Sequence, residues 1–135
     1  MTVLRSFVCI FSDRLPEVRD FYVELFGWRV DFDSEWFVHL QAKDNPSIEL
    51  GILRRNHDIV PEAFRTAPAG MLLTIVVPDV DAVHRAVVQR GLEPVEAPRN
   101  LFYGQRRMLL RDPSGTLVDV SSECPPSPEF MASLK

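Results

Sequence analysis

The sequence lacks the short motifs that identify most catalytic sites. It has no CxxC, HExxH or GxSxG motif and no phosphate-binding loop. With only 6 glycines in 135 residues, a glycine-rich nucleotide cradle is excluded. The three histidines, His39, His57 and His84, share no short metal-ligand spacing. Function therefore has to be inferred from the architecture of the chain.

A large excess of either charge is also missing, since 15 Lys and Arg face 19 Asp and Glu, for a formal net charge of −4. This balance argues against a nucleic-acid partner, which needs a basic face. No apolar run approaches the roughly 20 residues that span a bilayer, and Met1–Ser12 has no signal-peptide pattern. We therefore predict a cytoplasmic protein with no membrane partner. The sequence neither supports nor excludes a disulfide between Cys9 and Cys124. Cys9 lies in an apolar run and is predicted to be a buried thiol.

The composition that is present, 46% hydrophobic and 25% charged residues, is that of one globular domain. The first part of the chain predicts a β-α-β-β-β order, because an apolar helical face at Val18, Phe21, Tyr22 and Leu25 is flanked by β-branched and aromatic runs. The predicted elements are a strand at Val3–Phe11, a helix from Ser12 or Asp13 to a left-handed cap at Gly27, and strands at Trp28–Phe32, Trp36–Gln41 and Ile48–Leu53.

The same order recurs after a connector, residues 54–69, which has one predicted helical turn at Pro61–Arg65. The predicted elements are a strand at Met71–Val77, a helix capped by Asp79 and ended by Gly91, and strands at Glu93–Glu96, Gln105–Leu110 and Thr116–Ser121. We thus predict an α+β fold with modules at residues 1–53 and 70–123 and a tail at 124–135 outside the core. Gly27 and Gly91 repeat at the same interval as Phe7 and Met71, which favours a true repeat over a generic α+β sandwich.

Short motifs in both modules resemble those of a known superfamily. They are Asp13-Arg14-Leu15, Asp20-Phe21-Tyr22 and Leu25-Phe26-Gly27, then Val77–Ala82, Arg90-Gly91, Tyr103–Arg106 and Arg111–Gly115. In this order they resemble the vicinal oxygen chelate superfamily, also called the glyoxalase/bleomycin resistance/dioxygenase superfamily, over residues 3–121. The resemblance implies two tandem βαβββ modules whose curved mixed sheets enclose a U-shaped cleft.

The resemblance also implies four metal-ligand positions, which in lactoylglutathione lyase and similar members hold His or Glu. They fall here on Phe7, Glu49, Met71 and Asp119, with Leu72 as an alternative to Met71. Phenylalanine and methionine do not suit a hard divalent ion. We therefore expect no metal and no other cofactor, as in the superfamily members that sequester bleomycin-type antibiotics.

Strand alternation predicts which residues face the cleft. Trp36, Val38 and Leu40 should pack on the first helix, and a turn centred near Asp44 would set His39 opposite Glu49. A four-residue turn at Asp112–Gly115 would set Met108 opposite Asp119, with Arg106 as the partner of that carboxylate. The predicted ligand-binding residues are Phe7, Phe37, His39, Glu49, Met71, Tyr103, Arg106, Met108 and Asp119.

Several of these residues also have a plain structural interpretation. Glu49 and His39 would form a cross-strand pair on an exposed face, Asp119 would be a solvated carboxylate, and Phe102 with Tyr103 would pack a loop instead of forming a lid.

The favoured function is the binding of a small organic molecule without metal, with sequestration of a toxic compound as one form of it. The rivals are an enzyme with Glu49 as general base tuned by His39, an enzyme with a metal held by Glu49, Asp119 and His39, and an interaction module with a filled cleft. We also expect a homodimer, because the repeat leaves sheet edges that members commonly cover by pairing.

Overall fold

The computed structural model describes residues 1–134, which divide into two compact units. Unit 1 comprises Met1–Gly70 and Asp112–Thr116, and unit 2 comprises Met71–Arg111 and residues 117–134. Each unit contains a four-stranded mixed sheet with one long helix between its first two strands. The predicted α+β fold of two tandem βαβββ modules is confirmed.

In unit 1 the strand order is β1-β4-β3-β2, with β1 parallel to β4 and the other pairs antiparallel. The helix packs on β3 and β4 through Leu15, Val18 and Tyr22 and ends at Gly27, whose φ of 69° is left-handed as predicted. The elements are β1 (Val8–Ser12), α1 (Leu15–Phe26), β2 (Arg29–Asp33), β3 (Phe37–Ala42) and β4 (Asn45–Arg54). A 3-10 turn at Glu62–Phe64 falls inside the predicted helical turn.

Unit 2 repeats the order as β5-β8-β7-β6. Asp79 caps the long helix as predicted, because its carboxylate accepts from the backbone N–H of Asp81 at 3.0 Å and of Ala82 at 3.3 Å. The elements are β5 (Leu72–Val76), α2 (Val80–Gln89), β6 (Glu96–Asn100), β7 (Gln105–Arg111), β8 (Leu117–Glu123) and α3 (Pro128–Ser133). Within residues 1–134, no helix is both long enough and apolar enough to cross a membrane.

Alternation along the strands separates a buried face under each helix from the opposite face. In unit 1 the core residues include Ile10, Val38, Leu40, Leu50 and Ile52, and in unit 2 they include Val80, Val87, Met108, Leu110, Val118 and Val120. Burying an aliphatic side chain of this kind contributes about 1.5–3 kcal/mol. The core therefore fixes which residues of each strand are left for the other face.

The first strand is shorter than predicted. Residues 3–7 precede β1 without regular structure, and Val3 and Leu4 are 78% and 94% exposed. β1 lies at the edge of its sheet and pairs only with β4, from Val8–Leu50 to Ser12–Arg54. An apolar run extends a strand only where a neighbour supplies hydrogen bonds, so the run alone overestimates its length. Cys9 is correspondingly exposed rather than buried, and both cysteines are free thiols.

Two further boundaries differ from the prediction. β6 begins three residues late at Glu96 and contains Pro98, which an edge strand tolerates because one of its sides donates no ladder hydrogen bonds. The tail forms the short helix α3, capped by Ser127, whose hydroxyl accepts from the N–H of Phe130 at 3.0 Å. The signal was serine followed by proline at the first helical position. Trp36 also differs, since it precedes β3 and is 39% exposed.

Candidate functional site

The residues of unit 1 that were predicted to bind a ligand gather on the face of the sheet opposite α1, here called the distal face. A bulge places Glu49 opposite Gln41 and sets His39 opposite Gly51. The predicted pairing of His39 with Glu49 was therefore wrong, because Pro46 lacks an N–H and the Asn45 side chain accepts from the N–H of Ser47 at 3.2 Å. The shift is by two residues, so Glu49 and His39 stay on one face as diagonal neighbours.

His39 forms the centre of a polar network on the distal face. Its Nε2 lies 2.8 Å from Oε1 of Glu49, and its Nδ1 lies 2.9 Å from Oδ2 of Asp31. Asp31 reaches the ring because a β-bulge between Val30 and Phe32 interrupts the pairing of β2 with β3. A neutral imidazole donates from one nitrogen only, whereas a protonated ring donates to both carboxylates. The two carboxylates thus lie around one ring, an arrangement that favours a cationic group between them.

Arg5 closes the network from the segment before β1. Its Nε donates to both carboxylate oxygens of Glu49, at 2.8 and 3.0 Å, and its terminal nitrogen also contacts Glu49 and lies 3.1 Å from Nε2 of His39. The Glu49 side chain is only 5% exposed, whereas that of Arg5 is 57% exposed. Hydrogen bonds from Arg5, and then from His39, lower the pKa of Glu49 despite its desolvation.

Aromatic side chains surround this network. The Phe7 ring lies edge-on to His39 at 5.4 Å, and the Phe37 ring stacks on His39 at 6.4 Å between centroids. Phe37 in turn contacts Phe32 at 6.3 Å and Trp36 at 5.5 Å. The distal face therefore combines flat apolar surfaces with a few converging polar groups, which is the usual composition of a small-molecule site.

An open pocket with a volume of about 570 Å³ lies beside the network. It is lined by Leu4, Arg5, Ser6, Gln41, Pro46, Ser47 and Glu49. Its volume falls within the range of about 300–1,000 Å³ that is typical of ligand pockets. Arg5 and Glu49 belong both to the pocket and to the network, so the two features form one candidate site.

In unit 2 the predicted register of β7 and β8 is wrong by one residue. Met108 pairs with Val120 and Leu109 pairs with Asp119, because the turn spans Asp112–Thr116 and closes with a hydrogen bond of 3.0 Å from the N–H of Asp112 to the carbonyl of Thr116. A slip of one residue moves a whole strand to its other face.

Because of this register shift, two residues predicted to bind a ligand, Met108 and Arg106, do not lie on the face of the sheet that carries Asp119. Met108 is fully buried in the core of unit 2 and does not lie on the face of Asp119. Arg106 shares the side of Met108 and binds Asp81 of α2, at 3.0 Å from Nε to Oδ2, so it is not the partner of Asp119. Arg107 pairs in the sheet with Ser121, two residues from Asp119. Its guanidinium binds Glu96 at 3.4 Å and acts on Asp119 through its charge.

Asp119 is 6% exposed and lies on the face of its sheet opposite α2. The Thr74 hydroxyl is 3.3 Å from its Oδ2, and its Oδ1 is buried without a hydrogen-bond partner in residues 1–134. Desolvation raises the pKa of Asp119, and the Thr74 hydroxyl and the charge of Arg107 offset part of the rise.

We expect Asp119 to make the protein less stable as the pH rises. Its pKa is raised in the folded state, so the native protein binds the proton more tightly than the unfolded chain. The protonated Asp119 makes its whole contribution to stability below about pH 4, near the pKa of the carboxyl in the unfolded chain. That contribution is lost as the pH rises through the raised pKa of Asp119 in the folded state. Relative to wild type, Asp119→Asn should therefore gain stability as the pH rises, as measured by urea denaturation from about pH 4 to about pH 7. The exposed turn variant Asp44→Asn is the control, and an Asp119→Asn difference that is flat with pH would contradict this expectation.

Four of the predicted residues, Phe7, Phe37, His39 and Glu49, are thus brought together in unit 1. Met71, Tyr103 and Asp119 lie in unit 2, where Tyr103 packs against Phe102, which itself contacts Phe130 of α3 at 5.7 Å. Sequence reasoning missed two participants of the site in unit 1, Arg5 and Asp31, and no local pattern marked either of them.

The donor set does not fit the metal ion of metal-dependent members. Phe7 has no donor atom, and both oxygens of Glu49 already accept hydrogen bonds from the Arg5 guanidinium. Among residues 1–134, no group of three or more His, Cys, Asp or Glu side chains is placed to hold a metal ion.

Comparisons with known proteins agree with this architecture. A superfamily member from Sphaerobacter thermophilus DSM 20745 has a TM-score of 0.73 at 19% identity, covering 91% of this chain and 99% of its own. The virulence protein STM3117 from Salmonella typhimurium has a TM-score of 0.71 at 20% identity, covering 92% and 100%. TnmS3, an antibiotic binding protein from Streptomyces sp. CB03234, has a TM-score of 0.70 at 20% identity, covering 91% and 98%. At these identities the likeness shows the fold alone.

No curated protein matches the sequence significantly. The family model described as the glyoxalase/bleomycin resistance protein/dioxygenase superfamily matches residues 5–120, which is most of the chain. The chain therefore belongs to the glyoxalase/bleomycin resistance protein/dioxygenase superfamily.

Proposed function

We propose that this protein binds a small organic molecule on the distal face of unit 1, without a metal ion, and that it sequesters the molecule rather than transforming it. The observation that carries the proposal is the Glu49 carboxylate, 5% exposed, bound by His39 and Arg5 beside a pocket of about 570 Å³. The fold shared with an antibiotic binding protein from Streptomyces supports the same class of function.

An enzyme with Glu49 as general base is the second candidate, and the contact of 2.8 Å between Glu49 and His39 favours it. A general base works best when its pKa lies near the operating pH. The Arg5 hydrogen bonds instead lower the pKa of Glu49, which makes the carboxylate a weaker base and a better partner for a charged or polar group. The electrostatics of the site therefore support binding over catalysis.

A ligand screen read by thermal stability tests the proposal, because a compound that binds only the native state raises the unfolding temperature. We expect stabilising compounds to act equally with and without added divalent metal. Glu49→Gln should weaken their binding about tenfold or more, as expected when a hydrogen bond to a charged group is lost. Glu62→Gln, an exposed glutamate of the same unit, is the matched control and should leave affinity unchanged.

Three results would count against this function. Stabilisation that requires a divalent metal would favour a metal-dependent enzyme. Consumption of a bound compound, lost in Glu49→Gln, would favour the general-base enzyme. Equal binding to wild type and Glu49→Gln would place the ligand elsewhere.

A further inference from the structure

We infer that Arg5 occupies the place of a cationic group of the ligand, so that the site selects organic cations with a guanidinium or ammonium group. This inference rests on the proposed function and adds the ligand's chemical class. In the resting protein the Arg5 guanidinium satisfies Glu49 from within the chain, and the ligand replaces it.

The two partners of this ion pair are held very differently. Glu49 lies within β4 and is almost entirely shielded, whereas Arg5 belongs to a segment without strand or helix whose neighbours Val3 and Leu4 are largely exposed. The Arg5 side chain is 57% exposed, so its guanidinium can exchange the contact with Glu49 for water and regain conformational freedom. Arg5 can therefore leave without disturbing the sheet, whereas Glu49 cannot follow it.

When Arg5 leaves, the Glu49 carboxylate requires another positive charge. Glu49 and Asp31 lie on opposite sides of the His39 ring, so two carboxylates share one imidazole. Without Arg5 the Glu49 carboxylate would line the open pocket as a negative charge that keeps its contact with His39. A cation from a ligand restores what Arg5 supplied, whereas a neutral or anionic group does not.

The surroundings of the Arg5 head group are also those of a cation site. The central carbon of its guanidinium lies 4.8 Å from the centroid of the Phe7 ring, within the distance for a cation–π interaction. A carboxylate together with an aromatic face accepts a planar guanidinium and also an alkylammonium. Phe7 therefore provides recognition at a position where metal-dependent members have a metal ligand.

The pocket provides room for the remainder of such a molecule. Arg5 and Glu49 line one part of it, and Leu4, Gln41, Pro46 and Ser47 line the rest. A ligand whose cationic end displaces Arg5 can place its body in this space and bring an amide or hydroxyl group near Gln41 or Ser47. Arg5 thus competes directly with the ligand, and affinity is reduced by the fraction of time that the ion pair is closed.

Methylguanidinium is the probe that tests this inference, with neutral acetamide compared at matched ionic strength. We expect methylguanidinium to bind Arg5→Ala at least about tenfold more tightly than wild type, because its competitor has been removed. The gain should disappear in Arg5→Ala/Glu49→Gln. The control Arg14→Ala removes another exposed arginine of unit 1, which pairs with Glu17 at 3.3 Å, and should behave as wild type. Should Arg5→Ala fold poorly, Arg5→Gln keeps the length of the side chain and serves in its place.

Three results would overturn the inference. The first is methylguanidinium binding equally to Arg5→Ala, Arg14→Ala and wild type. The second is acetamide binding as tightly as methylguanidinium. The third separates this inference from the proposed function: if compounds from the screen bind in a Glu49-dependent way but bind Arg5→Ala more weakly than wild type, Arg5 itself contacts the ligand. The binding function would then stand, and the exchange of Arg5 for a ligand cation would be wrong.

Discussion

Asp112→Ala is expected to lower the free energy of unfolding by about 3 kcal/mol or more, because it leaves several buried donors without an acceptor at once. Asp112 is 3% exposed, and its Oδ2 accepts from the Tyr22 hydroxyl at 2.6 Å. Its Oδ1 accepts from the backbone N–H groups of Ser114 at 2.8 Å and Thr116 at 3.0 Å. Burial and the nearby Asp112 carboxylate raise the pKa of Tyr22, so its hydroxyl remains a donor. Urea denaturation measures the loss.

Two further variants serve as comparisons for Asp112→Ala. Tyr22→Phe removes one of the hydrogen bonds and keeps the ring, so it should cost about 1–2 kcal/mol. Asp44→Ala changes an exposed aspartate in the β3–β4 turn and should stay within about 0.5 kcal/mol of wild type. A cost for Asp112→Ala no larger than that for Tyr22→Phe would mean that the carboxylate does not organise its own turn.

Gly51→Val is expected to destabilise the protein by about 1–3 kcal/mol and to disturb the candidate site, because the distal face has no room for a side chain there. A Cβ atom at Gly51 would lie 2.7 Å from Sγ of Cys9 and 2.9 Å from Cε1 of Phe37. Phe37 stacks on His39, so its displacement should also weaken ligand binding. Urea denaturation and the affinity for a compound from the screen give the two measurements.

A double-mutant cycle identifies the cause. Gly51→Ala should cost less in a Cys9→Ala background than in wild type, because the truncated side chain no longer meets the new methyl group. Gly70→Ala is the contrasting case: its Cβ would meet nothing, so its cost comes from the φ of 69° and should not change in the Cys9→Ala background. Additive effects of Gly51→Ala and Cys9→Ala would show that close packing at this position is unimportant.

Sequence periodicity predicted the fold well because local signals within each module mark its helix and its strands. The apolar face of α1, the cap at Asp79 and the terminal Gly27 are local signals, and each lies where it was expected. Element boundaries were less predictable where they depend on a neighbour. The run from Val3 to Phe11 looks like one long strand, yet only residues from Val8 have a partner in β4.

The candidate site could be predicted only where the actual register of two strands left each side chain on the face of the sheet that was expected for it. The bulge near Asn45 shifted β3 against β4 by two residues and left His39 with Glu49 on one face. The turn at Asp112–Thr116 shifted β7 against β8 by one, which buried Met108. No pattern indicates that a bulge aims Asp31 at His39, or that Arg5 from an irregular segment reaches Glu49.

Two expectations from the sequence stay predictions. One is that Glu49 and Asp119 face a single cleft, since they belong to different units. The other is that two chains pair, for which light scattering that gives the mass of one chain would be the contrary result.

The Asp112–Thr116 turn affects whether the two modules can be expressed as separate fragments. It groups with unit 1 although the strands on either side of it belong to unit 2, so the polypeptide passes between the units three times. A fragment ending at Gly70 would keep the buried phenol of Tyr22 but not the carboxylate that accepts from it. Residues 1–70 alone are therefore expected to be less stable than unit 1 of the whole chain, because the Tyr22 hydroxyl loses this acceptor. Co-expression of residues 71–135 is expected to supply the missing turn and to restore part of that stability.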